Sequence, residues 1–172
     1  FSSETDSEVI VNMIEYLYKK KEEQQKEQKK DNNDVHFLDI LDELTKTHLI
    51  GTWACMIHNI KEPNRLYFIK HGCPLVIGKT NDSSMHILTS EPSGFMNLVD
   101  TYISLEDGCI GYIDILSGLC IQGPSKIVNA IKLQDADLSL DTNKYDFWMY
   151  KEIEDQIKLQ VFTEPLTNLC RF

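Results

Sequence analysis

Several familiar features are missing from this chain. No two of its five cysteines are separated by only two residues, and five is an odd number. That excludes a zinc ribbon and argues against a secreted disulfide framework, so a reducing, cytoplasmic compartment is expected. No run approaches the roughly 18 uninterrupted apolar residues of a membrane span. Basic residues are scarce: 17 Lys and Arg stand against 27 Asp and Glu, a net charge of −10. Phosphate contacts need a positive face, so neither nucleic acid nor membrane is expected as a partner. There is no signal peptide and no initiator Met before Phe1. The chain is therefore expected to be cut from a longer polypeptide.

Catalytic motifs are equally sparse. There is no G-x-S-x-G elbow, and "GCPLVIGK" lacks the glycine spacing of a phosphate-cradling loop. His36, His48, His58, His71 and His86 are scattered, with no His or Cys at metal-ligand spacing. No metal and no cofactor are expected.

What is present begins with a helix. Val9, Ile10, Met13, Ile14 and Leu17 recur at helical spacing, which predicts a helix from residue 7 to about 19 with one buried stripe. Thr5 with Glu8 fits a capping box and puts Asp6 in the first turn. The apolar-free stretch "KKKEEQQKEQKKDNND", 19–34, reads as a solvated insertion, either helical or disordered. "VHFLDILDELTKTH" predicts a second helix with Phe37, Leu38, Leu41 and Leu44 on one face, packed on the first as a hairpin.

After Gly51, short apolar runs alternate with turn-rich pieces: "TWACMIH", "RLYFIKH", "PLVIG" and "MHILTS". "SGFMNLVD" is long enough for a short helix or a turn. "TYISLEDGCIGYIDI" and "GLCIQG" predict a meander with hairpin turns at Asp107-Gly108 and Ser117-Gly118. Two helices followed by short antiparallel strands without long crossovers is an α+β pattern. From about Ser125 the chain turns mixed and polar and reads as a linker, until "WMYKEIEDQIKL" regains helical character.

Few side chains are candidates for chemistry. Cys73, between Gly72 and Pro74, has no base or helix N-terminus nearby to lower its pKa, so it reads as a turn residue. Glu106 and Asp107 in a turn, and Glu152, Glu154 and Asp155 on the last helix, read as solvated charges. Asp6 differs because it joins a helix start to the polar approach "SSETDS". It can serve as a cap, or as an anchor that turns an oxygen toward a ligand ammonium.

"SSETDSEVI", "GTWACMIHN", "GCPLVIG", "ILTSE", "YISLEDGCIGYI" and "YDFWMYKEIEDQ" follow one another in an order and spacing that resemble glutamine–fructose-6-phosphate aminotransferases. The resemblance covers all but the insertion at 19–34 and the stretch around 122–143. It implies an N-terminal-nucleophile glutaminase fold: layered antiparallel sheets packed with helices, a partial αββα sandwich with its N-terminal strands missing. Residues 1–122 would be the C-terminal portion of the glutaminase domain. Residues 123–172 would be the linker and lead-in to a sugar-isomerase domain.

In that family an N-terminal cysteine attacks the glutamine side-chain amide, and the ammonia released converts fructose 6-phosphate to glucosamine 6-phosphate, toward UDP-N-acetylglucosamine. The resemblance implies glutamine as a partner and fructose 6-phosphate as the acceptor on a downstream domain. It also implies a homo-oligomeric parent. The Asp of "SETD" binds the substrate α-ammonium in the family, a role that falls on Asp6. The nucleophile would lie upstream, so the 172 residues alone are expected to be inactive. Cys73 replaces a usual Ser, Ile157 a usual Pro, and Cys170 stands near a usual Gly before Arg171. Two other readings stay open: a non-catalytic binding or regulatory module of the same fold, and the glutaminase part of a sibling such as amidophosphoribosyltransferase.

Overall fold

The computed structural model describes residues 2–27, 36–123, 130–134 and 146–160. The chain divides into two compact units, Phe1–Leu138 and Ser139–Phe172.

Helix α1 runs Asp6–Glu27. Its inward stripe is Ile10, Met13, Ile14 and Leu17, with Leu17 fully buried. Val9, expected on that stripe, points away and is half exposed. The helix also outlasts its last apolar residue by more than two turns, well past the expected end near 19. Charge carries the extension: Lys20 and Lys21 pair with Glu43, and Glu22 pairs with Lys61. The first part of the polar stretch is therefore the helical of the two expected alternatives, its side chains exposed or half-exposed and tied to neighbours by surface ion pairs, and residues 28–34 lie outside the described residues.

Helix α2 is short, Phe37–Glu43, and continues into a π-type turn, Leu44–His48. Thr45 Oγ1 bonds back to the carbonyls of Leu41 and Asp42, and Leu49 N–H donates to the Leu44 carbonyl five residues back. A hydroxyl competing for helical carbonyls favours such a widened last turn. Phe37, Ile40, Leu41 and Leu44 are buried against Ile14 and Leu17, so the two helices pack together as the pattern predicts.

Eight strands follow: β1 (Trp53–His58), β2 (Arg65–His71), β3 (Val76–Lys79), β4 (His86–Thr89), β5 (Thr101–Ser104), β6 (Cys109–Asp114), β7 (Gly118–Gln122) and β8 (Ala130–Lys132). They form two four-stranded antiparallel sheets, ordered β1-β2-β6-β7 and β4-β3-β5-β8. The architecture is α+β. Strand alternation sorts the layers. Tyr67, Ile69 and Ile110 face the helices, while Phe68 faces Ile77, Leu88 and Ile103 of the second sheet. On the far side of that sheet, Val76 packs with Phe95 and Val99, beside a 3₁₀ turn at Pro92–Phe95. Each fully buried Leu, Ile or Phe contributes roughly 1.5–3 kcal/mol of transfer free energy. Gly111 sits where β6 meets Phe68; a Cβ there would lie 2.3 Å from the Cys120 carbonyl oxygen and 2.5 Å from the Phe68 ring.

Two expectations change here. The predicted meander is only half formed: β6 and β7 make a hairpin around Ser117-Gly118, but β5 and β6 lie in different sheets. The Asp-Gly step carries the chain between layers instead of closing a hairpin. Asp107 is held by Lys70 and by the Gly72 N–H at the end of β2, which pulls the turn away from β5. The second change is β8, which pairs with β5 inside the stretch expected as linker and places Leu133 under the second sheet.

In the second unit, α3 spans Trp148–Gln160, as "WMYKEIEDQIKL" predicts. Among the described residues, no helix is long and apolar enough to cross a membrane.

Candidate functional site

Thr5 precedes the first residue of α1, and the free N–H groups of the helix start need acceptors. Glu8 does not serve them as a capping box would, but reaches past Thr5 to the residues ahead of the helix. Its carboxylate accepts the Ser2 and Ser3 N–H groups, each at 2.6 Å, and both serine hydroxyls, at 3.0 and 2.7 Å. The Thr5 N–H goes to Ser3 Oγ rather than to Glu8. Backbone N–H donation from Ser2, then the Ser3 hydroxyl and N–H, lowers the Glu8 pKa to about 2. "SSET" is thereby wound into a small loop around one carboxylate.

Asp6 is left with a different position. It is exposed on the first turn, and among the described residues its side chain accepts only a long 3.5 Å contact from its neighbour Ser7. Its charge is felt across the sheet end: burial first, then Asp6, raises the thiol pKa of Cys55 on β1. Cys73 adds a smaller push in the same direction. Cys55 lies on β1, whose start adjoins the end of β2. There Trp53 stacks on His71 with centroids 4.9 Å apart, and the Trp53 indole N–H is buried with no hydrogen-bond partner among the described residues. Cys73 follows Gly72, whose φ is +72°, in a tight turn closed by its N–H to the His71 carbonyl.

The other candidates do not gather. His36, His48, His58 and His71 are exposed on separate elements, and His86 is half-buried on β4. Burial, then nearby Lys79, lowers the His86 pKa. Among the described residues no three His, Cys, Asp or Glu side chains are placed to hold a metal. Asp107 is exposed, as expected of a turn charge, but it is also paired: Lys70 and the Gly72 N–H hold its pKa down. Glu152 and Glu154 are exposed on α3, and Cys170 lies outside the described residues.

A polar network goes unannounced by the sequence. Arg65 Nε donates to Asp114 Oδ2 at 2.8 Å, and its Nη1 to Glu62 Oε2 at 2.5 Å. Tyr67 Oη donates to the same Glu62 oxygen at 2.7 Å. Burial pushes the Tyr67 pKa up to about 12. The Arg65 guanidinium also lies 4.7 Å from the Tyr112 ring centroid. This network borders a recess of about 600 Å³ between the helices, the β1–β2 turn and the first sheet. The only sequence signal was "KEPNR", which marks a turn and not a cluster.

No protein-family model matches the chain. Similarity to individual proteins runs along most of it. A probable glutamine–fructose-6-phosphate aminotransferase (isomerizing) of Acanthamoeba polyphaga mimivirus is 26% identical over 156 residues, which is 91% of this chain and 23% of that protein. The glutamine–fructose-6-phosphate aminotransferase (isomerizing) of Campylobacter jejuni is 27% identical, covering 92% of this chain and 24% of its own length. That of Methanocaldococcus jannaschii is 32% identical over 181 residues, 99% of this chain and 16% of the relative. The chain thus spans 16–24% of the length of these three curated relatives.

Proposed function

We propose that these residues belong to a glutamine–fructose-6-phosphate aminotransferase and form part of its glutamine-hydrolysing domain, of the N-terminal-nucleophile type. Similarity along nine-tenths or more of the chain to proteins bearing that name supports this reading. On it, residues 1–122 are glutaminase, and 123–172 link it to a sugar-isomerase domain, with β8 fastening the start of the linker to the second sheet. The parent would be a cytoplasmic homo-oligomer that passes ammonia from glutamine to fructose 6-phosphate, making glucosamine 6-phosphate for UDP-N-acetylglucosamine.

In this reading Asp6 holds the α-ammonium of glutamine. The observation that carries it is the division of labour at the start of α1. Glu8 supplies the carboxylate that the local backbone needs, while the Asp6 carboxylate stays exposed beside it. A charge-assisted hydrogen bond from an ammonium to such a carboxylate contributes about 1.5–3 kcal/mol. The 172 residues alone are not expected to hydrolyse glutamine. Burial raises the thiol pKa of both Cys55 and Cys109, the reverse of what a nucleophile needs.

The test is Asp6→Ala in the full-length protein. The KM for glutamine should rise at least about tenfold, the equivalent of a bond of this class. Binding of fructose 6-phosphate by the isomerase domain, which needs no glutamine, should be preserved. An unchanged KM removes Asp6 from the glutamine site.

A further inference from the structure

Two carboxylates stand in the first turn of α1, and the loop ahead of the helix uses them unequally. A carboxylate offers about four lone-pair sites. Those of Glu8 are filled. Its Oε1 takes the N–H and hydroxyl of Ser2 at 2.6 and 3.0 Å, and its Oε2 takes those of Ser3 at 2.6 and 2.7 Å. Those of Asp6 are nearly empty, with only the 3.5 Å contact from Ser7 among the described residues. Glu8 has no capacity left for a ligand, and Asp6 does.

By spacing, Asp6 is the nearer acceptor. It follows Ser3 by three residues, the interval at which a capping box joins an acid to a backbone N–H. Glu8 instead reaches back five residues to Ser3 and six to Ser2. The longer arm is braced on both sides. Ser3 Oγ accepts the Thr5 N–H at 3.4 Å and lies 2.9 Å from Thr5 Oγ1, which closes the loop. One turn further on, Asn12 Nδ2 donates to the Glu8 carbonyl at 2.9 Å. Without the Glu8 carboxylate, the Ser2 and Ser3 N–H groups lose their acceptor and Asp6 stands at capping distance. Charge-assisted bonds are roughly twice as strong as neutral ones, so these donors would turn to Asp6. Its lone pairs would then be taken before an ammonium arrived.

We propose that Glu8 is a positioning residue for glutamine: by holding Ser2 and Ser3 it keeps the Asp6 carboxylate free for the substrate α-ammonium, and it does not itself touch the substrate. This rests on the glutamine-binding role given to Asp6 above.

Steady-state kinetics of the full-length protein, with glutamine varied at saturating fructose 6-phosphate, tests it through two substitutions. Glu8→Asp keeps the charge but is one methylene short of the reach to both serines. Glu8→Gln keeps the length but loses the charge and one of the two accepting oxygens. Both should raise the KM for glutamine by about threefold or more, with kcat little changed. Peptides covering 2–5 should exchange deuterium faster in both variants, while those covering 9–18 stay as protected as in the parent. In the Asp6→Ala background neither substitution should raise KM further, because Glu8 acts through Asp6.

Unchanged KM in both variants overturns the proposal. So does a rise confined to Glu8→Gln, which is a long-range charge effect, and so does a rise that comes only with lost protection over 9–18, which is structural. Asp6→Ala alone reads the underlying function. If it leaves KM unchanged, the role of Asp6 falls and that of Glu8 with it. If it raises KM and the Glu8 substitutions multiply that rise in full, only the role of Glu8 falls.

Discussion

Arg65 and Asp114 stand directly opposite each other on β2 and β6, joined Nε to Oδ2 at 2.8 Å. Asp114 also accepts the N–H groups of Leu116 and Ser117, so one carboxylate ties the central strand pair to the β6–β7 hairpin. Arg65, first, and then the two backbone donors hold its pKa far below the usual carboxylate range. A depressed acid contributes stability above its unfolded pKa, near 4, and loses that contribution as pH falls through the folded value. Asp114→Asn should therefore lower the melting temperature at pH 7. The gap between variant and parent should narrow steadily below about pH 4, where the carboxyl of the unfolded chain takes up a proton that the folded one still refuses. Thermal melts followed by circular dichroism across pH 2–7 check both parts.

Glu8 and Asp6 separate in the same kind of experiment. The Glu8 carboxyl, with a pKa of about 2, contributes stability that is complete above the ordinary glutamate value and fades as pH falls through about 2. Glu8→Gln should lower the melting temperature at neutral pH and expose the Ser2 and Ser3 amides to exchange. Asp6→Ala should change neither by much, since Asp6 accepts none of those N–H groups. Amide exchange measured by NMR, with a carboxyl titration of Glu8, reads the difference. Equal losses in the two variants would return Asp6 to a structural role.

Leu17 is the deepest residue of α1, fully buried among Phe37, Ile40, Leu41 and Leu44. Leu17→Ala leaves a cavity between helices and sheet and should cost about 2–5 kcal/mol. Val9→Ala, on the same helix but half exposed, should cost far less. Urea unfolding of the two variants measures the contrast.

The Leu17 stripe was legible because its spacing repeats within one helix. The same is true of α2, the β-strand runs and α3. What the sequence could not reveal depended on distant partners. The polar helix from Lys19 to Glu27 has no apolar period, and its anchors are Glu43 and Lys61, contributed from elsewhere in the chain. Asp107-Gly108 carries the local signature of a hairpin, yet Lys70 and Gly72 draw it into a crossover between sheets. β8 is three residues long and becomes a strand only because β5 offers it an edge. The candidate site divides the same way. Asp6 was visible from its neighbours, while Glu8's reach to Ser2 and Ser3, and the Arg65 network beside the recess, emerge only from the folded geometry.

Cysteine reactivity gives a direct probe of where the Asp6 charge points. Burial is the main reason the Cys55 thiol pKa is raised, and the Asp6 carboxylate adds to it. Cys109 is raised by burial and by acids of its own turn, Glu106 and Asp107, partly offset by the Glu106 backbone and Lys70. Both should alkylate more slowly at pH 8 than an unhindered cysteine, because only the thiolate attacks. Asp6→Asn removes a negative charge near Cys55 while keeping the side-chain shape. The Cys55 thiolate fraction should grow, and its alkylation should accelerate, while the rate at Cys109 stays constant. Iodoacetamide labelling followed by peptide mass spectrometry gives both rates in one sample. Cys109 is the internal control, since a general loosening of the fold would speed both. An acceleration confined to Cys55 means that the Asp6 carboxylate faces the end of the sheet, where a bound ammonium would sit between them. Unchanged rates at both cysteines mean that it faces water instead.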